Sequence, residues 1–195
     1  MTKLGPRPLR ADARRNRERV LKAAQATFAE HGREAQMDDV ARRAGGGVGT
    51  VYRHFPTKEA LIEALANSMF ERVVETTRVA LEIEDPWDAL VQALWHGAAT
   101  LSADRAFSEI VGEVDMPVAT ELVDELTRMF ELLLGRAREA GELRPDVMID
   151  DVPMLMCGIG MATRKGHSVP DAWKRHLAIL IDGLRAANAS GPLPS

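Results

Sequence analysis

A chain of 195 residues with 46 % hydrophobic content can bury a substantial core and fits one or two small domains. It has no apolar run of about 18 residues or more, and Met1–Arg19 is polar and basic, so neither a transmembrane helix nor a secretory signal is expected. The net charge of −4 conceals an asymmetry: residues 1–60 carry 13 Lys+Arg against 7 Asp+Glu, and residues 61–195 carry 12 against 22. A basic end on an acidic body points to a polyanionic partner at that end alone.

In chain order, residues 1–11, with Pro6 and Pro8, read as a flexible basic arm. Asp12 is the expected N-cap of a first helix that buries Val20, Leu21, Ala24 and Phe28 and stops at Gly32. A second helix is expected over Met37–Ala44 and a third over Val48–His54. Pro56-Thr57 then breaks the chain, and Thr57 caps a long fourth helix reaching about Leu81. Asp85-Pro86 starts a fifth helix, Asp as cap and Pro as first helical residue, which ends near Ser102. A short sixth is expected over 104–113 and a seventh from Pro117 to Ala140, ended by Gly141. An eighth runs from about Asp150 to Lys165 and a ninth from Pro170 to Ala187. No stretch shows sustained strand alternation, so the fold class is all-α. The domains read as an arm (1–11), a helix-turn-helix unit (12–56), a helical body (57–188) and a disordered tail (189–195).

The second and third helices are short and are joined by Gly45-Gly46-Gly47. Two short helices around a glycine turn make a helix-turn-helix, whose second helix enters the DNA major groove. Gly47, Val48, Gly49 and Thr50 begin that helix, and Tyr52, Arg53 and His54 follow. Arg53 can pair with guanine or phosphate, Thr50 offers a hydroxyl, and Val48 can touch a thymine methyl. Lys58, at the start of the next helix, suits a phosphate. Arg7, Arg10, Arg14 and Arg15 are further candidates for phosphate or minor-groove contact.

The residues Asp38-Asp-Val-Ala-Arg-Arg-Ala-Gly45 and Val48-Gly-Thr-Val-Tyr-Arg-His-Phe-Pro-Thr-Lys-Glu-Ala-Leu61 resemble the TetR family of bacterial transcriptional regulators. Arg19-Val-Leu-Lys-Ala-Ala24 and Phe28-Ala-Glu-His-Gly32 resemble that family's first helix. Ala103-Asp-Arg-Ala-Phe107 and the Met/Gly-rich eighth helix look like the SbtR-like subgroup. The resemblance implies an all-helical homodimer with Tyr52 on the DNA face; such a dimer is expected to read a pseudo-palindromic double-stranded operator, and a cytoplasmic location is expected. The resemblance also implies a body that binds a small molecule, and a dimer interface built from the last two helices. The chain departs from the family at Gly46, where an apolar residue is usual, and at Gln36, where Ser or Thr is usual.

Within the body, Trp95, His96, Phe107, Met129, Phe130 and Met156 are candidate linings for a largely apolar ligand pocket; a filled core is the competing reading. The stripe Trp173, Leu177, Leu180 and Leu184 is the candidate dimer interface. The single cysteine, Cys157, lies in an apolar run and fits a small core residue in a reducing cytoplasm. His96 is isolated, and there is no Cys-x-x-Cys, His-Glu-x-x-His, Gly-x-Ser-x-Gly or phosphate-loop motif, so no metal, cofactor or catalytic role is expected. The leading function is a ligand-released dimeric repressor; the alternatives are an effector-independent regulator or activator, and a helical enzyme.

Overall fold

The computed structural model describes residues 7–103, 118–162 and 171–194. Among these residues the chain forms eight α-helices and no named strand. They are α1 (Arg7–His31), α2 (Met37–Arg43), α3 (Val48–His54), α4 (Lys58–Leu81), α5 (Pro86–Ala103), α6 (Thr120–Glu139), α7 (Asp151–Ala162) and α8 (Ala172–Leu184). The sixth helix expected over 104–113, with Phe107, lies outside the described residues. Several boundaries differ from the sequence reading, among them the start of α6, which moves from Pro117 to Thr120. α1 begins at Arg7, five residues before the expected Asp12 cap, because Pro8 is tolerated in a first helical turn. The last helix ends at Leu184, where Arg185 turns extended and pairs with Leu143 in an isolated antiparallel bridge.

Two apolar cores form, and α4 serves both. The head core gathers Val20, Ala24 and Phe28 of α1, Met37, Val40 and Ala41 of α2, Val51 of α3, Phe55, and Leu61 of α4. The body core gathers Ala80 of α4, Leu90 and Leu94 of α5, Phe130 and Leu133 of α6, Ile159 of α7, and Leu177 and Ile181 of α8. Each large side chain fully buried in this way contributes about 1.5–3 kcal/mol. Ala89, Ala93 and Ala98 are fully buried on α5, and their small size lets this helix lie at the centre of the body.

Helix ends follow local chemistry. Thr57 Oγ1 accepts from the Ala60 amide at 3.1 Å, and Asp85 Oδ1 from the Asp88 amide at 2.8 Å. Gln36 precedes α2 without capping it; its side-chain amide donates to the Glu34 carbonyl instead. α2 and α6 both stop in a left-handed glycine, Gly45 (φ 66°) and Gly141 (φ 73°). In the first of these turns Gly46 N–H donates to Ala41 C=O and Gly45 N–H to Arg42 C=O, the paired bonds of a Schellman turn. Of the three consecutive glycines, Gly45 alone has a positive φ, and a β-carbon at Gly46 or Gly47 would meet nothing within 4 Å.

The base of the body carries a polar clamp. Arg144 is buried to 8 % exposure and donates to both Asp146 oxygens, at 2.6 and 3.0 Å, and to Gly191 C=O at 2.7 Å. Asp146 also accepts from the Leu193 amide at 2.7 Å. The tail read as disordered is therefore tied to the α6–α7 loop as far as Leu193. These hydrogen bonds, led by that from Arg144, hold the Asp146 carboxyl far below the usual carboxylate range.

Two outcomes follow from these turns and ties. A carboxylate with a depressed folded-state pKa adds stability that is complete above its unfolded value, about 3.9, and is lost as pH falls through the folded one. Asp146→Asn should therefore lower the melting temperature at pH 7 and flatten its decline below about pH 4; parallel Tm–pH curves for variant and parent would contradict the clamp. At the turn, Gly45→Ala should destabilise by roughly 1–2 kcal/mol, whereas Gly46→Ala should stabilise by about 0.4–1 kcal/mol in urea unfolding. Equal effects at both positions would show that the turn is built otherwise.

Candidate nucleic-acid interface

The helix α3 is seven residues long and is held from below by very little. Val51 is 1 % exposed and Phe55, the residue that ends the helix, is 3 % exposed; both lie in the head core. Residues four apart share one face of a helix. The row 51/55 thus points inward, and the rows 48/52 and 49/53 point outward. Val48 and Tyr52 are 40 % and 46 % exposed, Gly49 and Arg53 are exposed, and Thr50 and His54 form half-buried flanks. Gly47 precedes the helix in extended conformation, also exposed. An exposed valine and tyrosine beside an arginine make an apolar and cationic strip with no acidic residue on the helix.

Four contacts lie around this strip. The Arg17 guanidinium of α1 lies 5.3 Å from the Phe55 ring centroid, and the His54 ring is tilted against Phe55 at 6.4 Å. Arg43 at the end of α2 forms a two-pronged bond to Glu30 of α1, each N–O distance 2.6 Å, which holds the Glu30 carboxyl below its usual range. Lys58 is the first residue of α4, half-buried, with its ammonium 5.8 Å from the Phe28 ring centroid. The seven α3-region candidates and Lys58 therefore lie on adjoining elements of the head, and Val51 at their centre is the position that faces away. Arg17 and the Arg43–Glu30 pair escaped the sequence reading. An arginine one turn before the buried row of α1 carries no distinctive signal, since the first half of α1 is arginine-rich.

The candidate ligand residues are arranged differently from the sequence expectation. Met129 and Phe130 are buried in the body, Phe130 in its core. Trp95 and Met156 pack on that core, Trp95 edge-on to Trp173 at 5.6 Å. His96 is exposed and opens onto a recess between α1, α4 and α5.

The candidate dimer stripe also turns inward. Leu177 is 1 % exposed within one subunit, and Trp173, Leu180 and Leu184 pack on the body core. Leu177 is thus used by the chain's own core, and Trp173, Leu180 and Leu184 stay partly exposed beside it. Met154 on α7 and Ile179 on α8 face outward instead, 75 % and 58 % exposed. The signal for them was the breadth of the apolar pattern: α7 is apolar all round, and Ile179-Leu180-Ile181 is wider than one stripe. Cys157 is exposed on α7, a correction to its reading as a core residue. No group of three metal-ligating side chains occurs among the described residues, and no described helix is long and apolar enough to cross a membrane.

Residues 20–65 match the family described as bacterial regulatory proteins, tetR family, and residues 85–186 match the C-terminal domain described as transcriptional regulator SbtR-like. The chain is 32 % identical over 139 residues to the HTH-type transcriptional repressor KstR of Mycolicibacterium smegmatis, covering 68 % of each chain. It is 30 % identical over 146 residues to the HTH-type transcriptional regulator UidR of Escherichia coli, covering 71 % of this chain and 74 % of that one. A crystal structure of a TetR transcription regulatory protein from Mycobacterium vanbaalenii superposes with a TM-score of 0.64 at 37 % identity, covering 91 % of this chain and 99 % of the other. A second, the TetR transcriptional regulator SCO0520 from Streptomyces coelicolor, superposes with a TM-score of 0.61 at 30 % identity, covering 87 % and 98 %. With a helix-turn-helix head and a body of the SbtR-like class, the chain belongs to the TetR family of bacterial DNA-binding transcriptional regulators.

Proposed function

We propose that this regulator is a homodimeric repressor that reads a pseudo-palindromic operator through α3 and leaves it when a small molecule occupies the body. The observation that carries the DNA reading is the anchoring of α3 by Val51 and Phe55, which leaves Val48, Gly49, Tyr52 and Arg53 facing out. Gly47 and Gly49 let the backbone approach the duplex closely. Val48, Thr50 and Arg53 reach base edges, while Tyr52, His54 and Lys58 contact phosphates.

Dimerisation supports operator reading because two heads must span two half-sites. The exposed Met154 and Ile179, with Gly158 and Gly183 exposed on the same two helices, form an apolar face with room for close helix approach. The four-helix interface uses this outer face, and the inner stripe supports it from behind.

Binding to an operator selected from a random DNA pool tests the reading head. Arg53→Ala should weaken it by about 1–3 kcal/mol and relax one base position. Lys58→Ala should weaken all sequences alike and lower the salt slope by about one. If both variants bind as the parent does, α3 is not the reading helix. For assembly, Met154→Glu with Ile179→Glu should give folded monomers by light scattering and a large loss of operator affinity. A variant that stays dimeric would place the interface elsewhere.

A further inference from the structure

The positive charge of the N-terminal end is not carried by the helix-turn-helix itself. Residues 1–19 hold seven Lys+Arg against two Asp+Glu, whereas residues 20–60 hold six against five. The first half of α1 stands clear of the head core. From Asp12 to Arg19 no side chain is buried: Asn16 is half-buried, the other seven are exposed, and Val20 is the first described α1 residue in the core. This stretch has no apolar stripe to bury, and a helix polar all round is sustained by its own side-chain pairs or by a partner. Such pairs are present: Arg15 with Asp12, Arg19 with Asn16, and Arg14 with Glu18 at 3.7 Å. They use both acidic residues of the segment, are exposed and screened by solvent, and leave the excess of cations in place. Arg7, Arg10, Arg14 and Arg17 recur at spacings of three, four and three, which places these positions in one row along the helix. Leu21, Ala24 and Phe28 continue that row into the head core. The inner end of the row meets α3, where the Arg17 guanidinium lies 5.3 Å from the ring centroid of Phe55.

We infer that this arginine row is a second DNA contact, lying along the phosphate backbone beside the site that α3 reads. The inference rests on the regulator reading and deepens it, by separating the segment that supplies general affinity from the helix that supplies specificity. Helicity decides which part of the duplex the row meets. An α-helix with its side chains is about 10–12 Å across and the minor groove is about 6 Å wide, so a helical segment does not enter that groove. The major groove is wide enough, but under the same reading α3 fills it. The backbone remains, and it carries no sequence information directly. Each guanidinium placed there releases about one condensed counterion. The row thus draws any duplex to the head, and α3 then discriminates among sequences.

The test uses the full chain with Arg7→Gln, Arg10→Gln and Arg14→Gln combined. Arg17 is kept because it braces Phe55. Glutamine has nearly the helix propensity of arginine, and no residue of the head core is altered. Affinity is measured against salt on two duplexes of equal length, the operator selected from a random pool and a scrambled sequence. At about 0.15 M salt the Gln variant should bind both at least about tenfold more weakly. Its salt slope should fall by about two to three per subunit on both, with the ratio of the two affinities unchanged. The same three positions changed to Lys should keep the parent's slope, since the charge is retained. An unchanged slope in the Gln variant overturns the inference, as does a Lys variant that loses as much as the Gln one. A loss confined to the operator would make the row a reader of bases, and a loss that depends on A·T or G·C in the flanks would place it in the minor groove; either overturns docking on the backbone. A changed oligomeric state by light scattering with an unchanged slope assigns the row to a protein contact instead. A parent that binds neither duplex overturns the regulator reading and the row with it. A parent that selects its operator while the Gln variant keeps its slope overturns the row alone.

Discussion

The guanidinium of Arg136 closes the lower end of α4. It donates to Leu81 C=O at 3.0 Å, Ile83 C=O at 2.6 Å and Glu84 C=O at 3.0 Å. Carbonyls at a helix C-terminus have no partner within the helix and carry its negative dipole end, so one cation satisfies several acceptors at once. The arginine comes from α6, and so the bond also fixes α4 against the body. Arg78 of α4 adds a 2.7 Å pair to Glu125 of α6, and Asn67 accepts from the Ala119 amide at 2.8 Å. At about 1.5 Å per residue, the 24 residues of α4 form a rod of roughly 36 Å, with Leu61 in one core and Ala80 in the other. Where α3 points is decided by how this rod is seated.

Charge is distributed to match that geometry. The basic N-terminal segment and the acidic remainder give the chain a charge asymmetry that favours a polyanion at the N-terminal end. Arginine does much of the internal fastening as well. Arg43 joins α1 to α2, Arg136 joins α6 to α4, Arg185 joins α8 to Glu142 at 3.0 Å and lies 4.3 Å over the Trp87 ring, and Arg144 secures the tail. A planar fork that stays charged at any physiological pH suits such joints better than a lysine.

The head was legible in the sequence because its signals are local. Thr57 and Gly45 are end signals whose chemistry acts within three or four residues, and the short apolar rows of α2 and α3 have one possible inward face. The body was legible in its helices but less so in their faces. Trp173, Leu177, Leu180 and Leu184 form one stripe, and periodicity does not say whether a stripe meets its own core or a second chain. The same holds for Met129 and Phe130, where a pocket lining and a packed core have identical spacing. Arg136, and the tie from Arg144 to Gly191, were invisible because the partners lie about fifty residues away as backbone carbonyls, and backbone carbonyls leave no mark on sequence.

The slender anchoring of α3 has an evolutionary side. When a recognition element is fastened by one valine beneath it and one phenylalanine at its end, the positions around them are released from the demands of packing. Changes at Val48, Gly49, Tyr52 or Arg53 touch solvent in the free protein, and surface substitutions of this kind usually alter stability by no more than about 0.5 kcal/mol. Under the proposed reading of DNA by α3, descendants of such a chain can drift from one operator to another through folded intermediates. A head of this build is well suited to founding many regulators that share an architecture and differ in the genes they address.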